Sequence, residues 1–76
     1  MSAQLLPEMK NVDSSNIAAI GYDHELSELF VQYKNGMTYK YKEVPTNIYE
    51  SFLKAKSKGK FMNEEVKPFY DYDYLR

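Results

Sequence analysis

Apolar residues alternate with mostly polar neighbours along two adjoining stretches of the chain. Leu29, Val31 and Tyr33 follow this pattern, and residues 37–41 repeat it a few positions later. A period of two residues is typical of a strand with one buried face. A shorter apolar run over 17–22 ends in a turn-rich Asp-His-Glu segment, which favours another strand. The pattern therefore predicts three neighbouring strands in an antiparallel arrangement.

An Asn-Gly pair at 35–36 lies between two of these strands and predicts a hairpin. A two-residue loop would place the lysines of the second strand on the same face as the aliphatic residues of the first. A three-residue loop over 34–36 instead places Val31 opposite Tyr39 and gathers the apolar side chains on one face. A slip of one residue inverts every side chain, so we favour the three-residue loop, with Gly36 in a left-handed conformation.

Helical spacing replaces the alternation after Val44. The apolar stripe consists of Ile48, Tyr49, Phe52 and Leu53. It predicts a main helix over 45–57 with Pro45 in its first turn and Gly59 as its C-cap. Residues 60–67 indicate one short helical turn. The tail at 70–74 alternates again, and it is either a last edge strand or an extended segment lying on the sheet.

These elements predict an α+β fold. We expect a small antiparallel sheet of three or four strands, covered on one face by the main helix and the short helical turn. Residues 1–14 show no sustained period and are interpreted as a loose N-terminal arm, and 15–76 as a single domain. A chain of 76 residues can bury only one thin core, so surfaces rather than deep clefts should carry its function.

The composition narrows the setting in which the protein works. The chain has no cysteine, which removes disulfides and thiolate metal sites and suits a reducing compartment. Its first residues contain only a two-leucine apolar run, so we predict no signal peptide and no membrane association. We therefore expect a cytoplasmic protein. The sequence implies no cofactor. Asp71 and Asp73 could share a face, but two carboxylates without further ligands do not predict a metal site.

Charge is unevenly distributed although the total is only −1. Between positions 34 and 60 there are seven lysines and two acidic residues, whereas the rest of the chain has three basic and nine acidic residues. A basic region in an otherwise acidic chain favours a phosphate-bearing ligand. The alternative interpretation is ordinary solubilising charge that happens to be segregated.

The sequence predicts a protein without catalytic activity. The single histidine, His24, lies in a predicted turn beside Asp23, and so thin a domain has little room to enclose a catalytic triad. The Ser-Lys-Gly-Lys segment at 57–60 follows a helix rather than a strand and lacks the glycine-rich run of a nucleotide-hydrolase loop. Lysines around a glycine turn could still take up a phosphate, although a charged helix end explains them equally.

Four segments together resemble the KTSC domain, a family named for the C-terminal extension of some lysyl-tRNA synthetases. They are residues 12–23, 35–41 with their Tyr-Lys-Tyr element, the Val-Pro pair at 44–45 followed by Tyr49, and 57–63, and the resemblance spans 12–74. Asp13 and the acidic tail depart from the family pattern. The resemblance implies a domain that occurs alone or joined to a tRNA-handling enzyme, here in its stand-alone form. It also implies RNA binding and no catalytic residues.

The leading hypothesis is a binding module for RNA or another phosphate-bearing nucleotide. Its candidate ligand residues are Lys40, Lys42, Lys54, Lys56, Lys58, Lys60, Tyr39, Tyr41 and Phe30. Tyrosines interleaved with lysines suit bases and phosphates, although the hairpin register also favours Tyr39 and Tyr41 as core residues. The alternative is a protein-interaction module, homodimeric or with another partner, that presents Phe30 and the tail tyrosines. A pocket for a small nucleotide is a third possibility.

Overall fold

A computed structural model describes residues 6–75, and within this range the chain forms a five-stranded sheet, two α-helices and a π-helical turn. The strands are β1 (Met9–Asn11), β2 (Ile17–Asp23), β3 (Glu28–Tyr33), β4 (Thr38–Tyr41) and β5 (Tyr72–Tyr74). The helices are α1 (Thr46–Lys54) and α2 (Lys58–Phe61), and α2 runs directly into the π-helical turn Met62–Val66. Among residues 6–75, no helix has the length and apolar character needed to span a bilayer.

The hairpin between β3 and β4 has the predicted register. Val31 pairs with Tyr39 and Leu29 pairs with Tyr41, so the apolar side chains share a face. The Tyr33 N–H donates to the Met37 carbonyl at 2.8 Å, which closes a three-residue loop. Gly36 has a φ of 93°, a left-handed conformation that a residue without a Cβ adopts at low cost. The α+β class, the hairpin loop and the facing of these strands are therefore confirmed.

Among the described residues the sheet has five strands in the order β1-β2-β3-β4-β5, so the prediction of three or four was too low. The extra strand, β1, lies in the segment predicted as a loose arm. It has only three residues, two of them exposed, and so carries no periodic signal. The tail does form an edge strand, β5, paired with β4. Residues 1–5 of the predicted arm lie outside the described residues.

The main core lies between the sheet and the helical segments. Its buried members are Ile17, Ile20, Tyr22, Leu29, Val31, Tyr41, Val44, Tyr49, Phe52, Met62 and Val66. Tyr49 and Phe52 come from α1, where Ile48 and Leu53 of the same apolar stripe are partly buried, and Met62 and Val66 come from the π-helical turn. At one end of this core the Tyr22 and Tyr49 rings stack with centroids 5.0 Å apart, and the Tyr22 hydroxyl donates to the Val44 carbonyl.

The main helix is shorter than predicted. It ends at Lys54, and Ala55 already has an extended backbone with φ −66° and ψ 137°. The Ser57 hydroxyl oxygen then accepts the Lys60 N–H at 3.2 Å and begins α2. Gly59 lies inside α2, so its prediction as the cap of the first helix was wrong. A serine N-cap was the stronger local signal at this point of the sequence.

The opposite face of the sheet carries Phe30, which is fully buried rather than open to ligand. Phe30 pairs with Gly21, which in turn pairs with Met9 of β1. A Cβ atom at Gly21 would lie 2.6 Å from the Met9 sulfur and 2.8 Å from the Glu8 carbonyl oxygen, so the N-terminal segment lies directly against this face. Phe30 therefore belongs to a small second layer, and we no longer consider it a contact residue.

Candidate functional site

Two segments that are distant in sequence meet on one side of the molecule. The loop before β2, residues 13–16, faces residues 56–60, which span the end of the α1–α2 connection and the first residues of α2, and together they line a groove of about 610 Å³. Asn63 and Glu64 complete its wall. We call this site the serine–lysine groove. Both segments belong to the stretches that carry the family resemblance.

Serine hydroxyls shape both sides of the serine–lysine groove. The Ser14 oxygen accepts the N–H groups of Asn16 and Ile17, each at 3.3 Å, and so folds the loop before β2. Ser57 caps α2 on the other side in the same manner. Serine at such positions satisfies backbone donors that a turn leaves free. The hydroxyls thus hold the two loops in shape, while Ser15 and Asn16 are exposed.

The lysines of the groove have different roles. The Lys58 ammonium donates to the carbonyl oxygens of Leu53, at 3.2 Å, and of Ala55. It therefore holds the C-terminal end of α1, where a cation complements the helix dipole. Lys56 and Lys60 are exposed and line the groove. They are the members of the predicted lysine set best placed for a ligand.

The six predicted lysines do not form one patch. The ammonium group of Lys40 lies on the face away from α1, 3.5 Å from a Glu28 oxygen and 3.9 Å from an Asp73 oxygen. Lys42 lies 3.5 Å from the same Asp73 carboxylate. Since these two cations are engaged with acids of β3 and β5, a phosphate would have to displace existing pairs. Lys54 is exposed at the end of α1 but does not line the groove.

A second depression, which we call the tyrosine cup, opens where the sheet extends past its helical cover. Its walls are Tyr33, Tyr39, Tyr41 and Tyr72, with Asn35, Met37 and Lys67 at the rim, and it encloses about 350 Å³. The Tyr39 ring lies 5.6 Å from Tyr33 and 5.2 Å from Tyr72 between centroids, both edge-to-face. These separations are typical of favourable aromatic pairs. The strand register, which alternates side chains across the sheet, brings these rings together.

The tyrosines of the cup differ in burial. Tyr41 is 3% exposed and is a core residue, whereas Tyr72 is 54% exposed. Tyr33 and Tyr39 are partly buried and pack against the core from the cup side. The core interpretation of the two predicted tyrosines therefore holds for Tyr41, while Tyr39 contributes both to the core and to an accessible surface.

Burial also changes the acidity of the cup. It raises the pKa of the Tyr41 phenol far above the ordinary value of 10.0, and the neighbouring Tyr33 raises it further. Burial likewise raises the pKa of Tyr33, although a hydrogen bond with Tyr41 partly opposes this. Both phenols are therefore neutral at physiological pH. Neither phenol therefore places a negative charge in the cup.

A shallow hollow joins the groove to the cup. It is lined by Ser15 and Asn16, which also line the groove, by Tyr33 and Asn35, which also line the cup, and by Lys34. The Lys34 N–H donates to the Asn16 carbonyl at 2.8 Å and fixes the two segments to each other. The groove, this hollow and the cup therefore form one continuous surface. Sequence reasoning missed the hollow, because a contact between residues 16 and 34 leaves no periodic signal.

His24 and Asp23 have contacts typical of a turn. The Asp23 carboxylate accepts the N–H groups of Glu25, at 2.9 Å, and Leu26, at 3.1 Å. The exposed His24 ring lies edge-on to Tyr22 with centroids 4.9 Å apart. The expectation that the protein is not an enzyme stays a prediction.

Comparison with known proteins places the chain in a family. The profile of the KTSC domain family matches residues 13–70. A protein of Tsukamurella paurometabola is 43% identical over 60 residues, which cover 79% of this chain and 90% of that protein. An uncharacterized protein of Stutzerimonas stutzeri is 37% identical over 70 residues, covering 90% of this chain and 97% of that protein.

A crystal structure supports the same assignment. The KTSC domain protein of Yersinia pestis matches with a TM-score of 0.85 at 33% identity, over 91% of this chain and 97% of that one. None of these relatives is described as part of a lysyl-tRNA synthetase, so that element of the resemblance stays a prediction. The family profile, the relatives and the shared fold agree, and the chain belongs to the KTSC domain family.

Proposed function

We propose that this protein is a small non-catalytic module that binds the phosphates of single-stranded RNA in the serine–lysine groove. The observation that carries the proposal is the meeting of Lys56 and Lys60 with the exposed Ser15 and Asn16 across one groove. Ammonium groups, hydroxyls and amides are the groups that proteins use to contact the nucleic-acid backbone. Asp13 and Glu64 also line the groove, so the net attraction is modest and the affinity should be weak.

The number of exposed lysines in the groove limits the number of phosphate contacts. With two exposed lysines in the groove, Lys56 and Lys60, we expect about two phosphate contacts and a dissociation constant in the micromolar range or weaker at physiological salt. For single strands, each contact should contribute about −0.7 to the slope of log K against log salt concentration. Binding should therefore fall steadily as salt is raised.

Fluorescence anisotropy of a labelled RNA strand of about eight nucleotides, measured at several salt concentrations, tests this proposal. Lys60→Glu should lower both the affinity and the salt slope. Lys10→Glu is the matched control, because Lys10 is exposed on β1 and does not line the groove. Absence of binding at low salt, or an equal loss in both variants, would contradict a phosphate site in the groove.

Exposed aromatic residues near the C-terminus favour protein interaction as a second candidate function. Phe69, Tyr72 and Tyr74 are 69%, 54% and 57% exposed, and in the part of the chain that the structure describes, β5 is an edge strand paired with β4. Exposed aromatics beside a free strand edge are suited to adding a strand from another chain. With Phe30 buried, this surface is smaller than the sequence alone indicated.

Sedimentation analysis over a wide concentration range tests self-association through this edge. If β5 mediates a dimer, Tyr74→Asp should shift the equilibrium to the monomer. Leu26→Asp, at an exposed apolar residue in the β2–β3 turn, should leave the equilibrium unchanged. A monomer at every concentration would exclude self-association and leave only other protein partners for this edge.

A further inference from the structure

From the continuity of the groove and the tyrosine cup, we infer that the cup takes one unpaired nucleobase of the strand whose phosphates lie in the groove. This inference rests on the proposed function and names the part of the ligand that the groove does not contact. Its starting point is the cup itself, in which Lys67 is the one cation among seven lining residues, four of them tyrosines.

The chemistry of the cup selects a planar ring that carries a negative group. Tyr72 is 54% exposed and lies beside the partly buried Tyr39, so its ring is accessible for stacking with a flat π-system. Lys67, exposed at the rim, disfavours a cationic ligand and attracts an anion. An aliphatic side chain would use neither the exposed ring nor the cation, whereas a base linked to a phosphate uses both.

The path between the two sites also fits a polynucleotide. The connecting hollow is lined by Lys34, another exposed cation, together with Ser15 and Asn16. An extended strand leaving the groove therefore meets hydroxyl, amide and ammonium groups before it reaches the rings. Tracks of cations that lead to aromatic platforms are the means by which proteins bind single strands with little sequence preference.

The inference excludes duplex RNA as the preferred ligand. Bases in a duplex are stacked and paired, so none can enter a cup without unstacking from its neighbours. A single strand can offer a splayed base at small cost. The protein should therefore bind single strands more tightly than duplexes of the same length.

The test compares two labelled probes of about eight nucleotides, one with normal bases and one abasic over its whole length. The abasic strand keeps every phosphate but cannot stack. Wild-type protein should bind the normal strand roughly 5- to 100-fold more tightly, the ratio that corresponds to stacking of one base. Tyr72→Leu should remove most of this difference without affecting the abasic strand, and Tyr72→Phe should retain it.

The outcomes separate this inference from the proposed function. Equal affinity for both probes, with Lys60→Glu weakening both, would overturn the base site while the groove stands. Loss of binding in Tyr72→Leu, with no effect of Lys60→Glu, would support the cup and contradict the groove. If Tyr72→Leu changes only the sedimentation behaviour of the protein, the cup is a protein contact and the inference fails.

Discussion

The tyrosine cup and the serine–lysine groove lie side by side, but different parts of the fold hold them in place. The cup tyrosines stand on β3, β4 and β5, where strand register fixes each ring against its neighbours. The groove is made from a loop and from the ends of two short helices, held by serine hydroxyls and the Lys58 ammonium. One site is an extension of the core, whereas the other lies outside it.

This difference determines whether residues of each site can be substituted without loss of stability. A cup residue that packs against the core cannot be altered for binding without altering stability. An exposed groove residue can be altered with little effect on folding, because exposed positions seldom contribute more than a few tenths of a kcal/mol. Measurements of stability and of binding should therefore separate in the groove and move together in the deeper part of the cup.

The largest effect on stability is expected at Tyr41, the most deeply buried residue of the cup. Tyr41→Ala removes a ring that is 3% exposed and packs in the main core, so it should destabilise the protein by about 3–5 kcal/mol. That is enough to unfold much of a domain of this size. Chemical denaturation measures the change, with Tyr72→Ala as the exposed control, expected to cost far less. Similar losses of stability in both variants would show that Tyr41 and Tyr72 do not differ in their coupling to the core.

Alkaline pH should act on the same part of the cup. The pKa values of Tyr41 and Tyr33 are raised above 10.0 in the folded state, so the neutral phenols are favoured by folding. Their contribution to stability is complete below about pH 10 and is lost as the pH rises through the folded-state values. Thermal melts at increasing pH should show this loss, and it should be weaker in Tyr33→Phe. A melting temperature that stays constant well above pH 10 would contradict buried, hydrogen-bonded phenols.

Substitution of Gly36 in the β3–β4 hairpin, which carries part of the cup, should have a moderate effect on stability. Gly36→Val places a β-branched residue at a φ of 93°, which should cost about 1–2 kcal/mol in free energy of unfolding. Apart from the two chain neighbours, no heavy atom of residues 6–75 lies within 4 Å of the position that the new Cβ would occupy, so the cost comes mainly from the backbone conformation. Asparagine tolerates this conformation better, so Gly36→Asn should be milder. Equal melting temperatures for glycine, asparagine and valine would remove the argument for the loop.

The cup was the more predictable of the two sites. Alternation in the sequence places Tyr39 and Tyr41 on one face, and the parity of the Asn-Gly loop sets them opposite Val31 and Leu29. Both steps use only neighbours in sequence. What the pattern could not give was the extent of the helical cover, which leaves Tyr39 partly open while it buries Tyr41.

The groove could not be predicted, because it depends on the path of the chain in three dimensions. The local chemistry of its parts is visible in the sequence, as serines before β2 and lysines around Gly59. No periodicity indicates that residues 13–16 and 56–60 meet. Similarly, β1 is too short to show a pattern, and so the layer that buries Phe30 became apparent only from the pairing of Met9 with Gly21.

The smallest expected effect separates two lysines of the groove by their roles. Lys58→Met removes an ammonium that donates to the Leu53 and Ala55 carbonyls, so it should destabilise the protein by about 1 kcal/mol, reduced in part by solvent screening. Lys56→Met, at an exposed position in the same groove, should leave stability within about 0.5 kcal/mol. Binding should show the opposite order, because the exposed Lys56 can meet a phosphate whereas Lys58 is engaged with α1. Denaturation curves and the salt slope of RNA binding, measured on both variants, provide the comparison. If Lys58→Met lowers the salt slope more than Lys56→Met does, then Lys58 leaves the helix end to meet the ligand, and the distinction between a scaffold lysine and a ligand lysine is wrong.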